Sequence, residues 1–331
     1  MGRDDTRITV VCATYNRAAV LQRCLRTLIG QSVQDWVALV IGDRCTDDSA
    51  ERVAALGDPR IRFVNLPARF GEQAGPNSVG MALARTPLLA FLNHDDYWFP
   101  DHLERGLDAL SRGGDLYWAR AAFFTNRGAR YDRAIFTEAS PPARSLAGAL
   151  DGPRHYAEPL SAWIARAEAL ARLGPMRLAG QSGLVPLIDY CARAWRAGLR
   201  LVCGTEITVL KDRMVAAGHA YSGDAPFAEE WVAMMRGGRS AELKAMIADD
   251  LWLAAALGMA RPFDPPPTGS GMARHAAIER ASGIPIADMT AAARGEGPSL
   301  IGEVLMRRTG ERLTEQPDLG AMIAAARAQL G

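Results

Sequence analysis

A short apolar run that stops at a polar cluster constrains the fold of this chain more than any other feature. Residues 88–92 have the length and composition of a buried strand, and Asn93, His94, Asp95 and Asp96 follow directly. In open α/β sheets, ligands bind at the carboxyl ends of the strands, because the loops leaving them can surround a small molecule. The run therefore predicts a buried strand that carries hard oxygen ligands at a binding edge.

The same pattern occurs earlier in the chain. Residues 8–13 and 36–41 are apolar and rich in β-branched side chains, and polar residues follow each run. Helical spacing of apolar residues separates the two runs, and a third strand is expected at residues 61–66. Because each crossover is right-handed and covers one face of the sheet, this alternation predicts a parallel sheet with helices on both faces.

The remaining sequence predicts more strands and then a helical region. Residues 116–124 favour a strand, residues 127–144 a loop or hairpin, and residues 199–203 and 207–210 two short strands. After Gly218 the apolar spacing is that of helices. We therefore expect one domain over residues 1–218 and a helical C-terminal extension over residues 219–331.

Composition excludes several classes of protein. The chain has 331 residues, 49% hydrophobic and 23% charged, which is typical of globular proteins and not of disordered ones. Its formal net charge of +1 gives no electrostatic basis for binding nucleic acid. Five scattered cysteines suit reduced thiols. We find no secretory signal and no apolar run long enough to cross a membrane, so we expect a cytoplasmic protein without a transmembrane segment.

Common phosphate-binding motifs are missing from the sequence. Neither G-x-G-x-x-G after the first strand nor G-x-x-x-x-G-K-[ST] occurs. The polar clusters at residues 13–17, 43–48 and 93–96 would instead converge on one sheet edge. There, a carboxylate could accept hydrogen bonds from a base or ribose, and another could hold a divalent cation on a diphosphate. Taken singly, each cluster is weak evidence for a binding site, because a solvated turn or a helix cap has the same composition.

Taken together, these segments resemble family 2 glycosyltransferases. The resemblance rests on VVCATYNR, GDRCTDDSAE, DPRIRFV and FLNHDDYWFPDHLE; it is close over residues 8–110 and looser over residues 159–210. It implies the GT-A fold, an α/β architecture with a Rossmann-type, mostly parallel sheet flanked by helices. It also implies a nucleotide-diphosphate sugar donor, with a UDP-sugar favoured, and Mg²⁺ or Mn²⁺ as the metal.

The resemblance also implies roles for individual residues. Asp43 would bind uracil or ribose, and Asp95 aligns with the usual metal ligand. The residues expected to bind the nucleotide are Ala13, Thr14, Tyr15, Asp43, Asn77 and His94, and those expected at the metal are Asp95, Asp96 and His219. For His219 the alternative is a solvated loop histidine. Trp98 is expected to stack on the sugar or acceptor, with packing of its own loop as the alternative.

The sequence departs from the family pattern at several positions. Gly42 and Asp43 stand where the family commonly has two acidic residues. Asn93 stands where the first aspartate of the metal motif is usual, and Pro76 where an arginine is often present. An acidic pair that supplies the catalytic base is replaced by Pro186 and Leu187. Asp189 lies two residues further on and is our candidate base, with an ordinary first-turn helix aspartate as the alternative.

The resemblance implies transfer of a sugar to an acceptor hydroxyl, with inversion and with assistance by a metal. A divalent ion neutralises the charge that develops on the leaving diphosphate, while a carboxylate deprotonates the attacking hydroxyl. A glycan, a lipid-linked glycan or a protein would each serve as acceptor. Homodimerisation and peripheral contact with the inner face of a membrane stay open. The alternative is a catalytically silent sugar-nucleotide-binding or scaffold protein of the same fold.

Overall fold

The computed structural model describes residues 7–125, 134–140, 158–178, 181, 186–212, 228–257 and 316–331. Its strands are β1 (Ile8–Thr14), β2 (Trp36–Gly42), β3 (Ile61–Asn65), β4 (Leu88–Phe91), β5 (Tyr97–Trp98), β6 (Leu116–Thr125), β7 (Ile135–Ala139), β8 (Trp163–Arg166) and β9 (Leu201–Asp212). Within the described ranges these strands form one sheet in the order β3-β2-β1-β4-β8-β6-β9-β5, with β7 paired to β6.

The helices flank this sheet. They are α1 (Ala18–Ile29), α2 (Ser49–Ala54), α3 (Ala74–Leu83), α4 (His102–Ser111), α5 (Ala167–Leu173), α6 (Pro186–Arg196), α7 (Ala228–Arg236), α8 (Ser240–Ala256) and α9 (Leu319–Leu330). Apolar residues of α1, including Leu21, Leu25 and Leu28, are fully buried, as their helical spacing predicts. The helical spacing after Gly218 also predicts helices at 272–281 and 300–307, and these two ranges lie outside the described residues.

The first half of the sheet is parallel, as predicted. β1 lies between β2 and β4, and β3 pairs with the far side of β2, all in parallel register. All seven residues of β1 are buried, which is the burial expected of a parallel strand covered on both faces. The carboxyl ends of β1, β2 and β4 therefore meet at one edge of the sheet.

The second half of the sheet is mixed. β8 runs antiparallel to both β4 and β6, whereas β6 and β9 are parallel. The two short strands expected at residues 199–203 and 207–210 are one long strand, β9. Two register shifts in its pairing with β6 accommodate the polar residues between the two apolar stretches. The predicted α/β class with flanking helices is confirmed, and the sheet as a whole is mixed.

The later helices pack on this sheet domain. Arg26 of α1 forms an ion pair of 2.6 Å with Glu229 of α7, and Asp250 of α8 accepts a hydrogen bond of 3.2 Å from the Phe136 amide of β7. α9 contacts α3 and β3. The predicted domain boundary after residue 218 lies outside the described residues. Among the helices that the structure describes, none combines the length and hydropathy of a membrane span.

Candidate functional site

The polar residues that follow β1, β2 and β4 line one small pocket. Its volume is about 50 Å³, and it is open to solvent on one side. The lining residues are Ala13, Thr14, Tyr15, Asp43, Arg69, Gly71, Glu72, Gln73, Pro76 and His94. Five of the six predicted nucleotide-binding residues thus come together. Asn77, the sixth, is buried in α3 and does not line the pocket.

Asp43 organises the loop that forms one wall of this pocket. Its two carboxylate oxygens accept hydrogen bonds from the amides of Phe70, at 2.7 Å, and Gly71, at 2.8 Å. Burial raises the pKa of Asp43 to about 6, although both hydrogen bonds act in the opposite direction. The carboxylate keeps unused lone pairs, so it can still accept a hydrogen bond from a ligand in the pocket.

Tyr15 also lines the pocket, and Arg69 covers its ring. The Arg69 guanidinium lies 3.7 Å from the centre of the Tyr15 ring, a cation–π contact. A nucleobase is much larger than the present pocket, and it would need the ring face that Arg69 now covers. Movement of Arg69 off Tyr15 would open a flat aromatic surface of the kind on which bases stack.

Two glycines permit the close packing behind the pocket. A Cβ atom on Gly42 would lie 2.7 Å from the side-chain oxygen of Asn65, and one on Gly75 would lie 2.2 Å from the Phe70 ring. Both distances are too short for any other residue without rearrangement. The pocket walls therefore depend on these two positions.

Backbone strain is concentrated at the same edge. Within the described ranges, the residues other than glycine with positive φ are Asn16 (51°), Arg17 (62°) and Arg44 (60°). All three lie in the loops that follow β1 and β2. Strained backbone of this kind persists where surrounding contacts impose it, and it clusters at functional sites.

A second group of polar residues lies at the end of β4. The Lys211 ammonium is 2.9 Å from an Asp96 oxygen and 3.6 Å from an Asp95 oxygen, and Arg17 is 3.4 Å from the other Asp95 oxygen. These two cations hold the pKa of Asp95 well below its usual range, although burial acts the other way. Asp95 is therefore ionised at neutral pH.

Asp96 is not placed as a metal ligand in this structure. Its side chain is fully buried and binds Lys211, Ser161 and the Asn93 amide group. These contacts use both carboxylate oxygens. The sequence could not separate Asp95 from Asp96, because adjacent carboxylates differ only in which way the loop turns them.

Asp212 is a carboxylate that the sequence reasoning did not assign. Burial and the nearby Asp95 raise its pKa to about 7, and its buried Oδ1 atom has no hydrogen-bond partner among the described residues. An orphaned carboxylate oxygen beside an ionised aspartate fits a hard divalent cation, which prefers oxygen ligands. The fit rests on these two carboxylates. Within the described ranges no group of three His, Cys, Asp or Glu side chains forms a metal cluster, and His219 lies outside them.

His94 and Trp98 differ in their access to the pocket. His94 lines it, and burial lowers the pKa of its imidazole, so the ring is neutral at pH 7. Trp98 is fully buried: its indole NH donates to the Ser161 carbonyl at 2.7 Å, and its ring stacks on His102. The expectation that Trp98 stacks on a sugar is therefore corrected. β5 pairs with β9, and this pairing turns the tryptophan into the core.

Asp189 lies in the first turn of α6, where the sequence placed it, and it is ion-paired. Its oxygens accept hydrogen bonds from Arg177, at 2.9 Å, and Arg193, at 3.1 Å. Both arginines also line a larger cavity of about 570 Å³, together with Gln181 and residues 316–319. Its role as the catalytic base stays a prediction.

Three functional candidates escaped the sequence reasoning as individual residues: Arg69, Lys211 and Asp212. A signal for the last two was present, because they end the predicted strand at 207–210 as the other polar clusters end theirs. Polar residues at the carboxyl end of a strand are candidates for ligand binding, and this applies to the end of that strand as well.

Comparison with known proteins places the chain in a family. A family model described as Glycosyl transferase family 2 matches residues 9–174. The succinoglycan biosynthesis protein ExoW of Rhizobium meliloti is 31% identical over 118 residues, which are 34% of this chain and 37% of that protein. The glucosyltransferase WfgD of Escherichia coli, named for transfer from UDP-Glc to GlcNAc-diphosphoundecaprenol, is 26% identical over 107 residues, or 32% of this chain and 42% of that protein.

The chain therefore spans well under half the length of these two relatives. A crystal structure of S. aureus TarS 1-349 in complex with UDP-GlcNAc shares the fold, with a TM-score of 0.52 and 16% identity over 69% of this chain and 66% of that one. The family model covers about half of the present chain, including β1 to β4 and the carboxylates after β4. The chain belongs to glycosyl transferase family 2.

Proposed function

We propose that this protein transfers a sugar from a nucleoside-diphosphate sugar to an acceptor hydroxyl. The observation that carries the proposal is the shared edge at β1, β2 and β4, where an aromatic ring, a buried carboxylate and a cation–carboxylate group lie side by side. Family membership supports the reaction class. A UDP-sugar is the favoured donor, since the relative WfgD is named for UDP-Glc.

The pocket would bind the nucleoside end of the donor. Tyr15 provides a ring on which the base stacks once Arg69 has moved, and Asp43 provides the acceptor for an NH or ribose hydroxyl. Ala13 and Thr14 border the base, and His94 lies beside it as a neutral imidazole.

The diphosphate would lie toward Asp95. Lys211 and Arg17 are two cations at that position, so they can supply positive charge and hydrogen bonds to phosphate oxygens next to Asp95. Asp95 and Asp212 would hold Mg²⁺ or Mn²⁺, and such an ion neutralises charge that develops on a leaving diphosphate. His219 is part of the proposed metal set on the basis of the sequence alone.

Inversion requires a base on the side of the sugar opposite the diphosphate. Asp189 is the proposed base, and in this structure two arginines hold it. Arg177 is half exposed and can release one oxygen on acceptor binding, whereas Arg193 is largely buried and fixes the side chain. The acceptor class is proposed as a glycan or lipid-linked glycan, because ExoW and WfgD are named for roles of that kind.

Calorimetric titration tests the donor assignment. We expect UDP to bind in the presence of Mn²⁺, and Asp95→Asn to weaken that binding more than it weakens binding of uridine, which lacks phosphates. Asp108→Asn, on the exposed surface of α4, is the matched charge control. Absence of Mn²⁺-dependent binding for every nucleoside diphosphate tried would overturn the proposal.

A second function is favoured by the state of Asp189. Two arginines engage the Asp189 carboxylate, and the acidic pair usual in the family is replaced by Pro186 and Leu187. A silent sugar-nucleotide-binding protein would show these features. Hydrolysis or transfer from a bound donor that Asp189→Asn abolishes, with UDP affinity unchanged, decides for the enzyme.

A further inference from the structure

The last described segment, residues 316–331, is hydrogen-bonded to two places beside the nucleotide pocket. The loops of this pocket are residues 43–48 after β2 and residues 69–73 before α3, and Asp43 joins them through the amides of Phe70 and Gly71. Gln316 contacts the second loop directly, at Glu72, and Gln329 reaches the first loop through Asn65 at the end of β3.

The first contact is made by Gln329 near the end of α9. Its side-chain amide accepts a hydrogen bond of 3.1 Å from the Asn65 amide and donates one of 2.9 Å to the Asn65 carbonyl. Among the strands that the structure describes, β3 is the edge strand of the sheet, and these backbone groups face away from its one neighbour, β2. The glutamine therefore pairs with an open edge residue in the way that another strand would.

Asn65 passes this contact on to the first loop. Its side-chain oxygen accepts from the Cys45 amide at 2.8 Å, and its side-chain nitrogen donates to the Cys45 carbonyl at 2.9 Å. Cys45 in turn accepts a hydrogen bond from the strained Asn16 amide through its sulfur. A continuous set of hydrogen bonds thus runs from α9 to the loops that carry Asp43 and Tyr15.

The second contact is made by Gln316, just before α9. Its side-chain amide donates a hydrogen bond of 2.6 Å to Glu72, which lines the nucleotide pocket. Asp318 caps α9 by accepting from the Ala321 amide at 2.8 Å, and Met322 and Ala326 are buried. The helix is therefore fixed both at its start and along its inner face.

We propose that residues 316–331 position the nucleotide pocket, with Gln329 and Gln316 as positioning residues for the loops at 43–48 and 69–73. In this arrangement residues 316–331 hold the pocket walls in place and do not themselves line the pocket. The proposal has two consequences, one for the stability of the loops and one for the affinity of the site for a nucleoside diphosphate. The second of these rests on the function proposed above.

The experiment compares Gln316→Ala/Gln329→Ala with Arg327→Ala in the full chain. Arg327 is an exposed residue of the same helix and serves as the control. Amide hydrogen exchange at Cys45, Phe70 and Gly71 is the first readout, and the dissociation constant of UDP with Mn²⁺ is the second. In the double variant we expect the exchange rates and the dissociation constant to rise by about three- to tenfold, which corresponds to the loss of roughly one net hydrogen bond. In the control we expect neither quantity to change.

The single variant Gln329→Ala keeps the test usable if the double variant does not fold. It should speed exchange at Cys45 more than at Gly71, because Asn65 contacts only the first loop. Equal exchange at all three amides in the double variant and the control would overturn the proposal. If the unmodified protein binds no nucleoside diphosphate, the proposed function fails, and exchange alone then decides this inference.

Discussion

Asp43 is a buried carboxylate that lines the pocket, and the protein interior disfavours its ionised form. Its side chain is only 4% exposed, and two amide hydrogen bonds do not offset the loss of hydration. Its pKa is about 6 in the folded chain and near 3.8 when exposed. Because the pKa is raised on folding, the stabilisation from this group is complete below pH 4 and is lost as pH rises through 6.

The first prediction is a pH dependence of stability that Asp43 causes. Between pH 4 and pH 7 the free energy of unfolding should fall by up to roughly 3 kcal/mol through this group, from the size of the shift. Urea denaturation at pH 4, 5, 6 and 7 measures it, and Asp43→Asn, which does not titrate, should remove that part of the slope. Equal slopes in the two proteins would contradict the prediction.

The second prediction concerns ligand binding at the same residue and has the opposite sign. The ionised carboxylate is the hydrogen-bond acceptor, so UDP should bind more weakly as pH falls from 7 to 5, through the pKa of about 6. Titration calorimetry over this range is the measurement. Affinity that is constant down to pH 5 would place the nucleotide away from Asp43.

Lys211 is the counter-ion of a carboxylate that has no access to water. Asp96 is fully buried, while the ammonium 2.9 Å away is about one-fifth exposed. Removing one partner of such a pair leaves an uncompensated charge in the interior.

The third prediction follows from this pair. Lys211→Met should lower the free energy of unfolding by about 3 kcal/mol, and Asp96→Asn in the same chain should restore part of it. Lys244→Met is the control: Lys244 is 3.8 Å from the half-buried Asp101, and its loss should cost less than about 1 kcal/mol. Guanidinium denaturation is measured for five proteins: the unmodified chain, Lys211→Met, Asp96→Asn, the double variant and Lys244→Met. Additive effects of the two changes at 96 and 211 would contradict the coupling.

At the scale of elements, the position of a loop depends on the packing of the helix that follows it. The first turn of α3 includes Gly75, which lies against the ring of Phe70 in the loop before it. The Phe70 amide is one of the two that bind Asp43. Helix packing and pocket geometry are thus joined at one contact.

The fourth prediction is that Gly75→Ala disturbs the pocket. The added methyl would lie 2.2 Å from the Phe70 ring, and we expect a loss of about 1–3 kcal/mol in stability together with weaker UDP binding. Gly30→Ala is the control, because its φ is negative and its new contacts are 3.5 Å or longer. Thermal denaturation and calorimetry measure the two effects; a Gly75→Ala protein that matches the control in both would refute the close packing.

For the whole molecule, the question is whether the helices after residue 218 belong to the sheet domain. Trp231 of α7 is buried against Phe124 and Phe136, with ring centres 4.9 and 4.8 Å away. The Arg26–Glu229 ion pair beside it is exposed. Burial of aromatic area, and not the ion pair, should hold α7 on the sheet.

The fifth prediction separates these two contributions. Trp231→Ala should cost about 3–5 kcal/mol and shift the single unfolding transition of the whole chain, whereas Glu229→Ala should cost less than about 1 kcal/mol. Calorimetric unfolding tests both at once. If Trp231→Ala instead produced a second, separate transition, α7 would belong to an independent domain.

The pattern of the sequence is enough to predict the parallel half of the sheet and the polar residues at its carboxyl edge. Hydrophobic runs of strand length, each followed by polar residues, identify Tyr15, Asp43 and Asp95 because topology brings the carboxyl ends of parallel neighbours to one edge. That inference needs only local pattern and the handedness of crossovers.

The direction of each side chain, and its contacts with distant residues, follow from the tertiary structure. Trp98 is turned inward by the pairing of β5 with β9, and Asp96 by its hydrogen bond with Ser161. Lys211, more than a hundred residues away, binds Asp96. The contacts of Gln329 with Asn65 and of Gln316 with Glu72 join segments that are even further apart in the sequence. Contacts between distant segments follow from the packing of complete elements, and local pattern carries no record of it.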